Sequence, residues 1–208
     1  ERRITVKTPA EVPYVVLGYK APTLKTADEA WEPYALDVLD GVLDGGNSGR
    51  ISRNLIRGSQ VAAAAGTAYS PMSRLEELFM LAGNPAPGRS SAELEQALRT
   101  EVAKLREELI SPEELARVVA QVTATEVYQQ DSLFYQGMRL GILETVGLGW
   151  NKLDDYVQRI QAVTPEQVRE VARKYLTDDR LTVALLEPLP LESRRPAAPG
   201  AAMNHAVR

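Results

Sequence analysis

Apolar and polar positions along this chain change period several times, and each change marks an element. Residues 2–7 (RRITVK) alternate as a strand does. Residues 14–20 (YVVLGYK) gather β-branched and aromatic side chains before the Ala21-Pro22 stop and predict a second strand. Thr26, with Glu29 three residues on, reads as a capping box that opens a helix. Trp31, Ala35, Val38, Leu39 and Val42 then recur at i, i+4, i+7, i+8 and i+11, a one-sided apolar stripe that Gly45-Gly46 ends. A shorter amphipathic helix follows, with Ile51, Leu55 and Ile56 inward and Arg50, Arg53 and Arg57 outward. Residues 60–70 (QVAAAAGTAYS) are ambiguous by pattern, and their four alanines favour helix by propensity. Residues 77–84 (ELFMLAGN) predict a strand closed by Pro85 and Pro87.

Helical periods dominate the second half. Ser90 with Glu93 caps a helix reaching about residue 109. Ser111-Pro112-Glu113-Glu114 starts the next, with proline at the first helical position. A third covers residues 132–147, and residues 151–162 lead to Thr164-Pro165-Glu166-Gln167, another cap with proline behind it. Residues 181–187 (LTVALLE) form the last predicted strand. The order of elements predicts an α+β fold, a mainly antiparallel sheet with helices packed on one face. Residues 1–190 are expected to form one domain, and residues 191–208, rich in Ala, Pro and Arg, a disordered tail.

Composition narrows the function. The 208 residues carry a net charge of −4, which argues against a nucleic-acid or anionic-membrane partner. No apolar run approaches the roughly 18 residues of a membrane helix. There is no cysteine and a single histidine, His205. Disulfides and thiolate metal sites are excluded, and no imidazole pair can form. The chain begins at Glu1 without Met and is read as a piece of a longer parent.

Three blocks are specific in combination. Residues 153–188 (LDDYVQRIQAVTPEQVREVARKYLTDDRLTVALLEP) form a helix–helix–strand unit. Residues 35–62 (ALDVLDGVLDGGNSGRISRNLIRGSQVA) carry a helix, a Gly-Gly turn and a Ser-Gly-Arg-Ile start to the next helix. Ala21-Pro22 and NPAPG at 84–88 punctuate them. Together they resemble a domain of the insulinase/pitrilysin family of zinc peptidases, over nearly the whole chain to about Pro190. The resemblance implies a strand at 60–70. It also implies the metallopeptidase fold of the insulinase and mitochondrial-processing-peptidase type. The family's inverted zinc motif, His-x-x-Glu-His on a helix with a distant Glu, is missing. The chain therefore resembles the C-terminal, non-zinc-binding domain that faces the zinc domain across a chamber.

That resemblance implies no catalytic residue, no metal ligand and no cofactor in this chain, with zinc in an upstream domain of the same parent, a zinc-dependent metalloendopeptidase. It also implies a periplasmic setting. Many facing domains carry an Arg and a Tyr seven residues apart that hold substrate; here Ile56 and Ala63 stand at those positions. The pair is then expected on a homologous partner chain. Val61, Ala63, Ala65 and Tyr69 are the candidates for contact with extended peptide, because small side chains on a sheet edge admit a close backbone. Close helix-on-sheet packing is the alternative reading of the same alanines. Gly45, Gly46, Ser48 and Arg50 are candidate turn and helix-start residues. An alternative function is a catalytically dead structural or interaction subunit. In isolation the chain is expected to form a homodimer through apolar surface left by its partner.

Asp37, Asp40 and Asp44 share one face of the predicted helix. They read as a solvated acidic face moderated by Arg50, Arg53 and Arg57, with a hard-cation site as the lesser alternative. Glu76-Glu77 and Glu107-Glu108 read as surface charge. Tyr128, Phe134, Tyr135 and Met138 read as core or inter-domain contact.

Overall fold

The computed structural model describes residues 1–129, 131–153 and 155–191. Beyond Leu191, the predicted tail and His205 lie outside the described residues. Five strands, β1 (Arg2–Pro9), β2 (Tyr14–Ala21), β3 (Ala62–Ala68), β4 (Glu77–Pro85) and β5 (Leu181–Leu189), form one sheet in the order β1-β5-β2-β4-β3. Only the β1–β5 pair is parallel; the other three pairings are antiparallel. Six helices, α1 (Glu32–Asp44), α2 (Ser91–Glu107), α3 (Pro112–Gln129), α4 (Leu133–Val146), α5 (Tyr156–Gln161) and α6 (Pro165–Tyr175), accompany it. The α+β class expected from the pattern is the observed one.

Alternation along the strands selects the face that is covered. On β2, Val15, Leu17, Tyr19 and Ala21 are buried, and on β4 Phe79 and Leu81 face the same way. Against them lies α1, whose Ala35, Leu36, Val38, Leu39, Val42 and Leu43 are all fully buried. Leu94, Leu98, Val102 and Leu105 of α2 and Val168, Val171 and Ala172 of α6 complete the core. Three caps foreseen from sequence form as expected. Ser90 and Glu93 make a reciprocal box, Thr164 and Gln167 make another, and the Ser111 hydroxyl accepts from the Glu114 amide. The alanine-rich segment is a strand, β3, with an irregularity in its pairing between Ala62 and Ala64. Pairing with β4 overrides alanine's helical preference.

Two expectations change. The helix expected at Thr26 begins only at Glu32, and Thr26 instead accepts from the Thr23 amide at 2.8 Å in a turn. Pro33 is the reason. It has no N–H to give an interior helical bond, but it is tolerated in the first turn, where it sits here. Arg50 does not point outward. It is 8% exposed and donates Nε and Nη2 to the two Glu114 carboxylate oxygens, each at 2.8 Å. This fork clamps the turn after α1 to the start of α3, 64 residues later.

Candidate functional site

The turn that ends α1 is built from glycine. Gly46 has φ +66°, a left-handed conformation that costs a side-chain-bearing residue energy. At Gly49 an added Cβ would meet the Leu43 carbonyl oxygen at 2.7 Å, so the returning chain can pass only without a side chain. Gly45 caps the helix, Ser48 closes an exposed 3-10 turn (Gly46–Ser48), and Arg50 leads into a π-helical turn (Ser52–Gly58). Gly45, Gly46 and Ser48 lie in the turn and Arg50 follows it directly. The Glu114 carboxyl, held by the Arg50 guanidinium and the Ser111 amide, is pulled down to about 2.

Beyond this turn, α3 leans on α1. Gly41 makes that possible, since a Cβ there would meet Val118 Cγ1 at 2.7 Å. Arg117 and Gln121 of α3 donate to the carbonyls of Gly41 and Gly45, which the end of α1 leaves without helical partners. Farther along, α3, α4 and α5 part from α1 and from the segment after β3. They leave a cavity of about 740 Å³. Its acidic side is Asp37 and Asp40 from α1 with Glu126 from α3, and its aromatic side includes Tyr69, Tyr128 and Tyr156.

The acids are not a solvated face, which corrects the sequence reading. Only the apolar stripe of α1 was visible in the pattern, but α3 and α5 cover a second side of that helix. Asp37 accepts a hydrogen bond from the Tyr156 hydroxyl, and burial pushes its carboxyl up to about 6. Burial does the same to Asp40, again to about 6, helped by the charges of Asp37 and Asp44 and opposed by the Thr67 hydroxyl. Asp40 Oδ1 and the nearby Thr67 hydroxyl are both buried without a hydrogen bond of normal geometry among the described residues. Glu126 is paired with Arg139 of α4, so that charge is already met. Arg50, Arg53 and Arg57 do not moderate the cluster. They turn to Glu114, to Glu114 and Asn54, and to the Asn47 carbonyl.

The β3 edge adjoins the cavity. Among the described residues β3 pairs with β4 alone, so its outer edge has no strand partner, though Asp44 covers it at Gly66 and Thr67. Ala63 is exposed and Ala65 partly so, as a peptide-contact reading needs. Val61 drops out. It is 6% exposed, and its amide and carbonyl are spent on Leu55 and Ala86. Tyr69 is half-committed: its ring stacks on Phe79 and its hydroxyl donates to the Pro22 carbonyl at 2.7 Å, leaving part of the ring at the cavity. The Thr67 amide, on the same edge, donates to Asp44 Oδ2 at 3.1 Å. Alternation in an antiparallel ladder aims the Ala65 amide toward the same edge.

The aromatic group is not core either. Tyr128 is 75% and Phe134 82% exposed, and within α4 only Leu143 is fully buried. Sequence reasoning missed Gly41, the Glu126–Arg139 pair and the cavity they frame. A glycine in mid-helix was the available signal for the first. Nothing local announces the other two.

Zinc does not fit these residues. No group of three or more His, Cys, Asp or Glu placed to hold a metal occurs among the described residues. Of the carboxylates that approach one another, Asp37 is engaged by a tyrosine and Glu126 by an arginine, and no imidazole or thiolate joins them or Asp40. No helix among the described residues is long and apolar enough to cross a membrane.

Comparison with known proteins agrees with this architecture. A family model described as the peptidase M16 inactive domain matches residues 1–122. An uncharacterized zinc protease of Bacillus subtilis strain 168, YmxG, is 28% identical over 188 residues, 89% of this chain and 44% of that protein. A protease from Helicobacter pylori superposes with a TM-score of 0.80 at 22% identity, over 89% of this chain and 44% of the other. An inactive peptidase domain from Bordetella parapertussis superposes with a TM-score of 0.77 at 19% identity, over 92% of this chain and 98% of the other. This chain thus spans less than half of the curated zinc protease, while a separate domain of matching size shares its fold. The chain belongs to the peptidase M16 inactive-domain family.

Proposed function

We propose that this chain is a non-catalytic domain that walls the substrate chamber of a zinc-dependent metalloendopeptidase. It docks against a zinc-binding domain upstream in the same parent and lends the β3 edge to extended peptide. The open edge carries the reading: a strand bordered by Ala63, Ala64 and Ala68, all exposed, leaves room for a second backbone. The exposed apolar side chains of α4 supply the docking surface, since a helix with Leu133 and Phe134 more than 80% exposed is suited to a partner. A periplasmic location belongs to this proposal and rests on family resemblance alone.

A specific observation favours a second reading, a structural subunit of a peptidase-like complex. Ile56 and Ala63 occupy the positions where facing domains carry the Arg and Tyr that hold substrate. An intact His-x-x-Glu-His in sequence preceding Glu1 selects the first reading, and its absence the second. On the first reading the Arg/Tyr pair is supplied by a homologous partner chain.

The test is hydrolysis of an unfolded polypeptide such as reduced casein. This chain alone is expected to be inactive. The upstream zinc domain alone should be at least tenfold less active than its mixture with this chain. Chelator-sensitive hydrolysis by this chain alone overturns the proposal, as does a zinc domain indifferent to its presence.

A further inference from the structure

We propose that the cavity beside α1 is a subsite for one cationic side chain, the ammonium of a lysine or the guanidinium of an arginine, carried by a peptide lying along β3. The proposal rests on the peptide-contact reading and deepens it by naming the substrate feature recognised.

Position comes first. Tyr69 and Ser70, which line the cavity, directly follow β3. A peptide paired with this edge at Ala63–Ala65 advances about 3.3 Å per residue and leaves the strand where Asp44 holds the Thr67 amide, heading toward Tyr69 and Ser70. Charge comes second. Around the cavity, α1 presents Asp37 and Asp40, α3 presents Glu126, α4 presents Arg139, α5 presents Tyr156, and the segment after β3 presents Tyr69. Arg139 is the sole basic lining residue among those described, and Glu126 engages it. Two half-buried carboxylates are left: Asp37 has one hydroxyl hydrogen bond, and Asp40 has a buried, unpartnered Oδ1 near the Thr67 hydroxyl. A cation is what such a pair lacks.

The remaining lining selects the kind of cation. Val118, Val122, Met138 and Ile142 offer an apolar wall for an alkyl stem, and tyrosine rings offer faces to the charged head. A hydrated metal ion would waste the apolar wall, and a neutral side chain would bury the two carboxylates further without compensation. The volume suits a long side chain together with part of its backbone. The raised carboxyls agree. Burial makes both aspartates resist ionising, and a bound cation would draw them back down.

The experiment uses the full chain and two blocked, dye-labelled octapeptides of alternating valine and threonine, one with a central lysine and one with norleucine there. Fluorescence anisotropy at pH 7.5 should show the lysine peptide binding about tenfold tighter. The double variant Asp37→Asn/Asp40→Asn should cut that preference below about twofold and leave the norleucine peptide unaffected. Tyr128→Ala, at an exposed position that cannot disturb the core, should weaken the lysine peptide alone. N-acetyl-lysine amide, followed by calorimetry, separates the cavity from the strand. If neither peptide binds but this amide binds wild type and not the double variant, the cavity stands and the strand-addition reading falls. Equal affinity for both peptides, or a preference that survives in the double variant, overturns the cavity while strand addition stands. No binding by any probe overturns both.

Discussion

Helices α1 and α4 have opposite fates although their apolar contents are close and α1 carries more charges. α1 carries Glu32, Asp37, Asp40 and Asp44 in 13 residues, yet six of its apolar side chains are completely buried. α4 reads LFYQGMRLGILETV, similarly apolar and with fewer charges, Arg139 and Glu144, yet of its residues only Leu143 is buried fully. The difference lies in what the rest of the chain delivers. The sheet, α3, α5 and α6 converge on α1 and take its acids with it. Glu32, 2% exposed, receives the Tyr175 hydroxyl at 2.8 Å and Lys174 at 2.5 Å. Nothing in the described residues covers the outward side of α4. Apolarity says that a helix wants a partner; it does not say whether that partner is in the same chain.

The largest expected effect separates the two helices outright. Leu39→Ala in α1 should cost about 3 kcal/mol in urea unfolding, through lost transfer energy and a residual cavity. Phe134→Ser in α4 should change stability by less than about 0.5 kcal/mol. Similar costs at both sites would erase the contrast.

Next in size is the clamp between the turn after α1 and the start of α3. Arg50→Met should destabilise by about 2 kcal/mol at pH 7, by removing a charge-assisted fork and leaving Glu114 underpaired. Because the Glu114 carboxyl is held at about 2, below its ordinary 4.5, its contribution is complete above pH 4.5 and lost as pH falls through 2. The wild-type advantage over Arg50→Met should shrink over that window.

Smaller, and opposite in sign, is the effect of the buried acids. The Asp40 carboxyl is raised from 3.8 to about 6, so its contribution is full below pH 3.8 and lost as pH rises through 6. Asp40→Asn should therefore stabilise the chain by about 1–2 kcal/mol at pH 8 and by almost nothing at pH 3.5. A loss of stability at pH 8 would mean that the carboxylate is compensated in the folded chain.

The smallest stability effect accompanies a clear change in association. The chain should form dimers at high concentration through α4, and Leu133→Ser/Phe134→Ser should weaken them at least tenfold in sedimentation with little change in melting temperature. Dimers that survive both substitutions would move the contact elsewhere.

How legible this was depends on the range of each interaction. The caps at Ser90, Ser111 and Thr164 are local grammar, and all three stand where sequence put them. The Thr26 box was equally local but lost to Pro33, seven residues on. Arg50 looked solvated because its partner lies 64 residues away, and Asp37 because Tyr156 lies 119 away. A helical period reports one buried face and cannot report that a second is covered. The β3 assignment needed family resemblance, since alanine by itself favours the helix. The peptide-contact candidates divide by backbone usage: Ala63 and Ala65 border an open edge, while Val61 is locked at both its amide and its carbonyl.

Hydrogen exchange of α1 and α4, with and without the proposed upstream zinc domain, tests the central claim most directly. A helix docked by one buried residue opens locally at low cost, so amides of residues 133–146 should exchange orders of magnitude faster than those of 35–43 in the free chain. Adding the zinc domain should slow the α4 amides at least tenfold and leave α1 unchanged. Equal protection of the two helices in the free chain, or an α4 that ignores the zinc domain, would contradict the account.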